Sequence, residues 1–208
     1  MRIIDLLDKR SIRLDGMASD KKDALDKMVE LMAAGGKIND VDKYREGVYA
    51  REEESTTGIG DGIAIPHCKS DAVKRPGLAA MVVPDGVEFA SLDGQPVNLI
   101  FLIAAPNTED NVHLDVLSKL SVLLMDETFT EGLKNAGSVD EFLQVIDAAE
   151  SDRDEEKEET AEPAAGAGST QKFIVAVTGC PTGIAHTYMA AEALEKKAKE
   201  LGYQIKVE

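Results

Sequence analysis

Two segments carry the residues able to do chemistry. Residues 51–70, REEESTTGIGDGIAIPHCKS, place three glycines (Gly58, Gly60 and Gly62) ahead of Pro66 and His67. Glycine permits close backbone approach, and proline fixes the chain just before the histidine, so one imidazole is presented at the edge of a strand. A neutral imidazole nitrogen is a good nucleophile near neutral pH, and a backbone carbonyl on its partner nitrogen sets the tautomer. Phosphoryl transfer asks little more than positioning and charge stabilisation. A partly buried structural histidine beside a glycine-rich turn explains the same spacing, so residue types alone leave both readings open. Residues 178–192, TGCPTGIAHTYMAAE, put Cys180 where a buried strand ends and a helix begins. Successive N–H groups there form an anion cradle, and the same field favours a thiolate able to carry a phosphoryl group. A structural cysteine at a strand end is equally compatible with that pattern.

Other chemistries fit less well. The pair His67-Cys68 with His113 as a third ligand invites a zinc reading, but no CxxC or HxxxH spacing supports it and the chain has 3 histidines. Neighbours on a strand point to opposite faces, so Cys68 is expected to face the core. The GIGDGI run does not open a GxxxxGK[ST] or GxGxxG helix, which argues against nucleotide binding. The Cys180 loop lacks the arginine of a C-x5-R phosphatase loop. No metal and no cofactor are expected.

The elements that must hold these residues follow from periodicity. Ser19 is placed to cap a helix from residue 20 to about 34, with Ala24, Leu25, Met28, Leu31 and Met32 on one face and Gly35-Gly36 ending it. A second helix follows Asn39 or Asp40 and reaches about Arg51. Residues 78–83 and 97–105 are apolar runs bounded by proline and glycine, read as buried strands. Thr108 is placed to cap a third helix, with Glu109 and Asp110 at its positive end, and a last helix starts at Ser138. Interleaved helices and strands over residues 1–149 predict one α/β domain. Residues 172–178 and 203–207 predict strands flanking a helix over 184–201, the βαβ opening of a parallel sheet. About 38 residues cannot cover such a sheet on both faces, so this second domain is expected to be incomplete.

The net charge of −16 is unevenly spread. Residues 1–149 carry 16 basic and 27 acidic residues, residues 150–162 carry 2 and 8, and residues 163–208 carry 5 and 4. The run ESDRDEEKEETAE followed by PAAGAGST predicts a solvated linker over 150–170, with a polar helix extending the preceding one as the alternative for its first half. So acidic a chain argues against nucleic acid and anionic lipid and favours a basic protein partner. The start MRIIDLLDKRS is too short and charged for a secretory signal, and no window approaches a membrane span, so a cytoplasmic location is expected.

The segment TTGIGDGIAIPHC resembles the active-site signature of fructose/mannitol-type IIA domains of the bacterial phosphoenolpyruvate-dependent sugar phosphotransferase system, with similarity over most of residues 1–149. The resemblance implies a mixed β-sheet flanked by helices. It makes His67 the residue phosphorylated on Nε2 by phospho-HPr, with His113 and Arg51 stabilising the phosphoryl group. Thr57 and the amides around Gly58 to Gly60 are further candidates to line the phosphate. VTGCPTGIAHTYMAAEALE is similar to the phosphocysteine loop of fructose-specific IIB domains, which makes Cys180 the next acceptor and residues 171–208 the start of a IIB domain. His186 belongs to that segment without an assigned role. The sugar assignment rests on this second segment.

The expected function is therefore a relay from phospho-HPr to His67, then to a IIB cysteine, with a membrane IIC component delivering fructose and fructose 1-phosphate as product. The expected enzyme class is phosphotransferase, and the expected location is cytoplasmic with membrane association through IIC. A regulatory IIA-like domain, in which phosphorylation of the histidine controls a binding partner, is the competing reading.

Overall fold

The computed structural model describes residues 2–107, 112–160, 173–179 and 184–207. In chain order, a 3-10 turn at Ile4–Leu6 leads into β1 Leu7–Arg13, α1 Lys21–Ala34, α2 Val41–Glu54, β2 Gly58–Gly60, β3 Ile63–Ala64, β4 His67–Ser70, β5 Gly77–Val87 and β6 Val97–Pro106. Then come α3 Val112–Leu123, α4 Glu127–Lys134, α5 Val139–Thr160, β7 Phe173–Ala176, α6 Ile184–Glu200 and β8 Gln204–Val207.

Strand β6 (VNLIFLIAAP) is apolar on both faces and takes the centre of the main sheet, because such a strand needs cover above and below. It pairs antiparallel with β5, Leu78 opposite Ile103, and parallel with β3 and β4 on its other side. The strand order is β1-β5-β6-β3-β2, with β1 parallel to β5. Ile63 pairs with Leu99 and His67 with Ile103, so β3 and β4 keep one register along β6. Pro66, which has no N–H to give, sits in the interruption, and its carbonyl accepts from Ile103 N at 3.0 Å.

Alternation along these strands builds two cores. Ala79, Met81, Ile100 and Leu102 pack with Leu25, Met28 and Met32 of α1 and with Tyr44 and Val48 of α2. Leu78, Ala80, Leu99, Phe101 and Ile103 pack with Val116, Leu117 and Leu120 of α3, Leu133 of α4 and Phe142 and Ile146 of α5. The mixed sheet flanked by helices is the architecture the resemblance implies.

Several local expectations change. Asp20, not Ser19, caps α1: its side chain accepts from Asp23 N, whereas Ser19 donates its own N–H to Asp23 Oδ2. Asp40 caps α2, and Gly36 follows α1 with φ +71. The cap expected at Thr108 lies outside the described residues. Strand β1 and helix α4 escaped the pattern because LDKRSIR is charged and half exposed and ETFTEGLK is short.

The acidic run shows the largest departure. Helix α5 continues through Thr160, so the first half of the expected linker is helical, consistent with its content of Glu, Lys and Arg and its lack of proline and glycine. Its first residue belongs to the domain outright. The buried Glu150 carboxylate accepts from Ile3 N at 2.6 Å and from Ile4 N at 3.1 Å, tying α5 to the start of the chain.

In the second unit β7 and β8 pair in parallel, Phe173 opposite Gln204, with α6 between them in sequence. No helix among the described residues is long and apolar enough to cross a membrane.

Candidate active site

His67 begins β4 and is half-buried at the rim of the sheet. Its Nδ1 lies 2.8 Å from the Ile65 carbonyl oxygen, and Arg51 Nε lies 3.1 Å from its Nε2. A carbonyl only accepts and a guanidinium only donates. The imidazole is therefore neutral, with its proton on Nδ1 and a lone pair on Nε2. Burial, opposed by the Ile65 hydrogen bond and aided by the Arg51 charge, brings its pKa down to about 4. Protonating Nε2 would also turn an N–H toward the Arg51 N–H. A nucleophilic nitrogen is thus kept unprotonated across the physiological range.

Arg51 reaches the ring because of how α2 packs. A Cβ on Gly47 would lie 2.6 Å from Cys68 Sγ, so only glycine lets the helix come this close to β4. One turn later, on the same face, Arg51 stands over the residue next to Cys68. Its Nη1 also donates to the Ser55 carbonyl at 3.1 Å and to Ser55 Oγ at 3.2 Å, which holds the guanidinium at the negative end of α2. Tyr44, buried on α2, donates its hydroxyl to the Ile103 carbonyl at 3.1 Å, opposite His67 on β6. Cys68 is buried in the α1/α2 core, as alternation requires, and burial raises its thiol to about 11.

The glycines serve the loop. Asp61 and Gly62 both have positive φ (54 and 73) and connect β2 to β3, the signature of a tight two-residue hairpin. Gly58 has Ser91 Oγ 2.6 Å from where a Cβ would stand. Its amide donates to Thr56 Oγ1 at 3.2 Å, and its carbonyl accepts from Leu92 N at 3.2 Å. Thr57 is buried; its N donates to Glu52 Oε1 at 2.9 Å and its hydroxyl to Glu52 Oε2 at 2.5 Å. The donors of Thr57 and Gly58, expected on a phosphate, are thus used within the loop. A buried glutamate of α2 is the partner of both Thr57 donors, and sequence reasoning passed it over because REEE reads as a solvated acidic run.

The structure therefore brings His67 and Arg51 together. His113 falls in the first turn of α3, whose Val116 and Leu117 share a core with Ile65 and Ile103. The side chain of His113, and the expectation resting on it, lie outside the described residues. Cys180 falls between β7 and α6, likewise outside the described residues, and the His186 side chain does too.

The chain is similar to known proteins in sequence and in fold. The family model described as "Phosphoenolpyruvate-dependent sugar phosphotransferase system, EIIA 2" matches residues 5–149, and one described as "PTS system, Lactose/Cellobiose specific IIB subunit" matches residues 175–208. The PTS system fructose-specific EIIABC component of Bacillus subtilis (strain 168) is 49% identical over the whole chain, which spans 32% of that relative's length. Among solved structures, nitrogen regulatory protein IIA-Ntr from Neisseria meningitidis is 30% identical, covers 69% of this chain and 98% of its own, and superposes with a TM-score of 0.65. Enzyme IIAMTL in its complex with phosphorylated enzyme IIBMTL from Escherichia coli is 29% identical, covers 68% and 97%, and gives a TM-score of 0.60. The second family description names sugars other than fructose, so residues 175–208 do not by themselves fix the sugar. The chain belongs to the EIIA 2 family of the phosphoenolpyruvate-dependent sugar phosphotransferase system.

Proposed function

We propose that this chain is a phosphoryl carrier of a fructose-type phosphotransferase system, loaded by phospho-HPr on His67 Nε2. The observation that carries the reading is the pair of contacts on the ring: Nδ1–H on the Ile65 carbonyl, and Nε2 turned to the Arg51 guanidinium. Arg51 leaves Nε2 as the donor enters. The Nε2 lone pair then forms the new N–P bond while the old N–P bond breaks, its electron pair returning to the donor imidazole. No proton leaves His67, because Nδ1–H stays on Ile65. The Arg51 N–H groups, freed from Nε2, are positioned to take the phosphoryl oxygens, and His113 on α3 supplies a second set of donors.

In the next step the thiolate of Cys180, or of the same position in a complete IIB domain, attacks phosphorus and the His67 nitrogen leaves. A sugar hydroxyl presented by a membrane IIC component then takes the group from sulfur. Fructose as the sugar, and fructose 1-phosphate as the product, rest on the 49% identical relative. In this reading the chain works in the cytoplasm beside its membrane component, without metal or cofactor.

A regulatory role is the second reading, favoured by the likeness to nitrogen regulatory protein IIA-Ntr. The IIB-type segment at 175–208 weighs against it.

Intact mass after incubation with phosphoenolpyruvate, enzyme I and HPr tests the proposal. One acid-labile phosphoryl group, lost in His67→Ala, is expected; unchanged labelling of that variant overturns it. Passing the group to a separately made complete fructose-type IIB supports transport, and refusal to pass it supports the regulatory reading.

A further inference from the structure

We propose that Glu52 is a positioning residue for the His67 imidazole, acting through Thr57 and Ile65 to fix which ring nitrogen is nucleophilic. The inference rests on the reading of His67 Nε2 as the phosphoryl acceptor. Glu52 sits in the last turn of α2, beside Arg51, with a buried carboxylate. One oxygen accepts from Thr57 N at 2.9 Å, and the other accepts from the Thr57 hydroxyl at 2.5 Å. Lys21 Nζ, from the first turn of α1, completes the charge pair at 2.6 Å from Oε1. Lys21 is itself held by Thr56 Oγ1 at 3.3 Å and by the face of Phe89, 5.0 Å from its centroid.

The connection runs on to the ring. The Thr57 carbonyl accepts from Ile65 N at 3.0 Å, and the Ile65 carbonyl takes the His67 Nδ1 proton at 2.8 Å. Two successive residues of α2 therefore hold opposite sides of one imidazole. Arg51 meets Nε2 directly, while Glu52 fixes Nδ1 through the peptide units of Thr57 and Ile65. A buried carboxylate is costly unless paired and fully hydrogen-bonded, and here its partners are the backbone and side chain of the loop that carries the reactive residue. If Glu52 lets go, Thr57 loses two acceptors, the Ile65 carbonyl shifts, and the ring is free to turn or to change tautomer.

The test uses the full chain with 15N-labelled histidine. In the wild type, His67 is expected to be predominantly the Nδ1–H tautomer at pH 7. Thr57→Val removes only the hydroxyl donor, and Glu52→Gln removes the charge. Both are expected to raise the share of the Nε2–H tautomer several-fold and to slow phosphorylation by phospho-HPr about tenfold in kcat, with KM for phospho-HPr unchanged. Thr57→Ser, which keeps the hydroxyl, is expected to restore both values. Folded Thr57→Val with the wild-type tautomer ratio and rate overturns the inference, and this variant decides the matter where Glu52→Gln fails to fold. The tautomer ratio is read without any phosphoryl donor. If His67 proves not to be the acceptor, the proposed function falls while the positioning role of Glu52 is still decided by the ring nitrogens.

Discussion

Strand β6 lies between β5 and the β3/β4 line, with one core of α1 and α2 above it and another of α3, α4 and α5 below, and its residues from Leu99 to Ala105 are nearly inaccessible. Strands β7 and β8 also pair, but among the described residues α6 is the one helix that packs on them, and Val175 is 64% and Val177 80% exposed. β7 (FIVA) is as apolar as β6, whereas β8 (QIKV) alternates polar and apolar residues. The difference shows that apolar composition sets where a strand wants to be, whereas cover on both faces decides whether it is held there. A side chain at the end of a covered sheet, such as His67, inherits fixed partners, here one on each ring nitrogen.

Hydrogen exchange addresses that contrast most strongly. Amides of residues 99–105 are expected to be protected at least about a thousandfold more than those of residues 174–176 and 205–207. Equal protection in the two regions would contradict the difference in cover.

The next effect is the dependence of stability on pH. His67 has a folded pKa of about 4, below the ordinary value of 6.5, so between these values the unfolded chain binds more protons. The His67 contribution to stability is therefore complete above about pH 6.5 and falls by up to about 3 kcal/mol as pH drops toward 4. Asp8, Asp23, Asp71 and Asp93 have lowered pKa values and add their losses below the ordinary carboxylate value of 3.8, outside that window. Denaturation of His67→Gln between pH 4 and 6.5 is expected to show a flatter profile; an unchanged slope would mean that the ring is not held neutral by the fold.

A smaller change tests how α2 is seated. Gly47→Ala gains roughly 1 kcal/mol of helix propensity but sets a methyl 2.6 Å from Cys68 Sγ, where overpacking costs about 1–3 kcal/mol. A net loss of about 1 kcal/mol is expected, together with slower phosphorylation, because Arg51 lies one turn beyond. A stabilised variant with the wild-type rate would show that close packing of α2 does not set the Arg51 position.

Much of this was legible before any coordinates. The helical face of Ala24, Leu25, Met28, Leu31 and Met32 and the apolar run of β6 are readable directly as their elements, and the A-x-P-H segment and Arg51, singled out by resemblance, meet in the fold. Glu52 was hidden because its burial depends on Lys21, 31 positions earlier, and on a loop whose polar groups close inward. The helical state of residues 150–160 was ambiguous for a related reason. A run of like charges repels itself, yet the same residues are good helix formers, and Glu150 finds the buried N–H groups of Ile3 and Ile4, far away in sequence.

The most direct measurement is the position of phosphorus on the ring. In 15N-histidine-labelled chain phosphorylated through HPr, the 31P-coupled nitrogen is expected to be Nε2 of His67, with Nδ1 still protonated. Phosphorus on Nδ1 of His67, or on any other residue, would contradict the arrangement in which Ile65 holds one nitrogen and Arg51 faces the other.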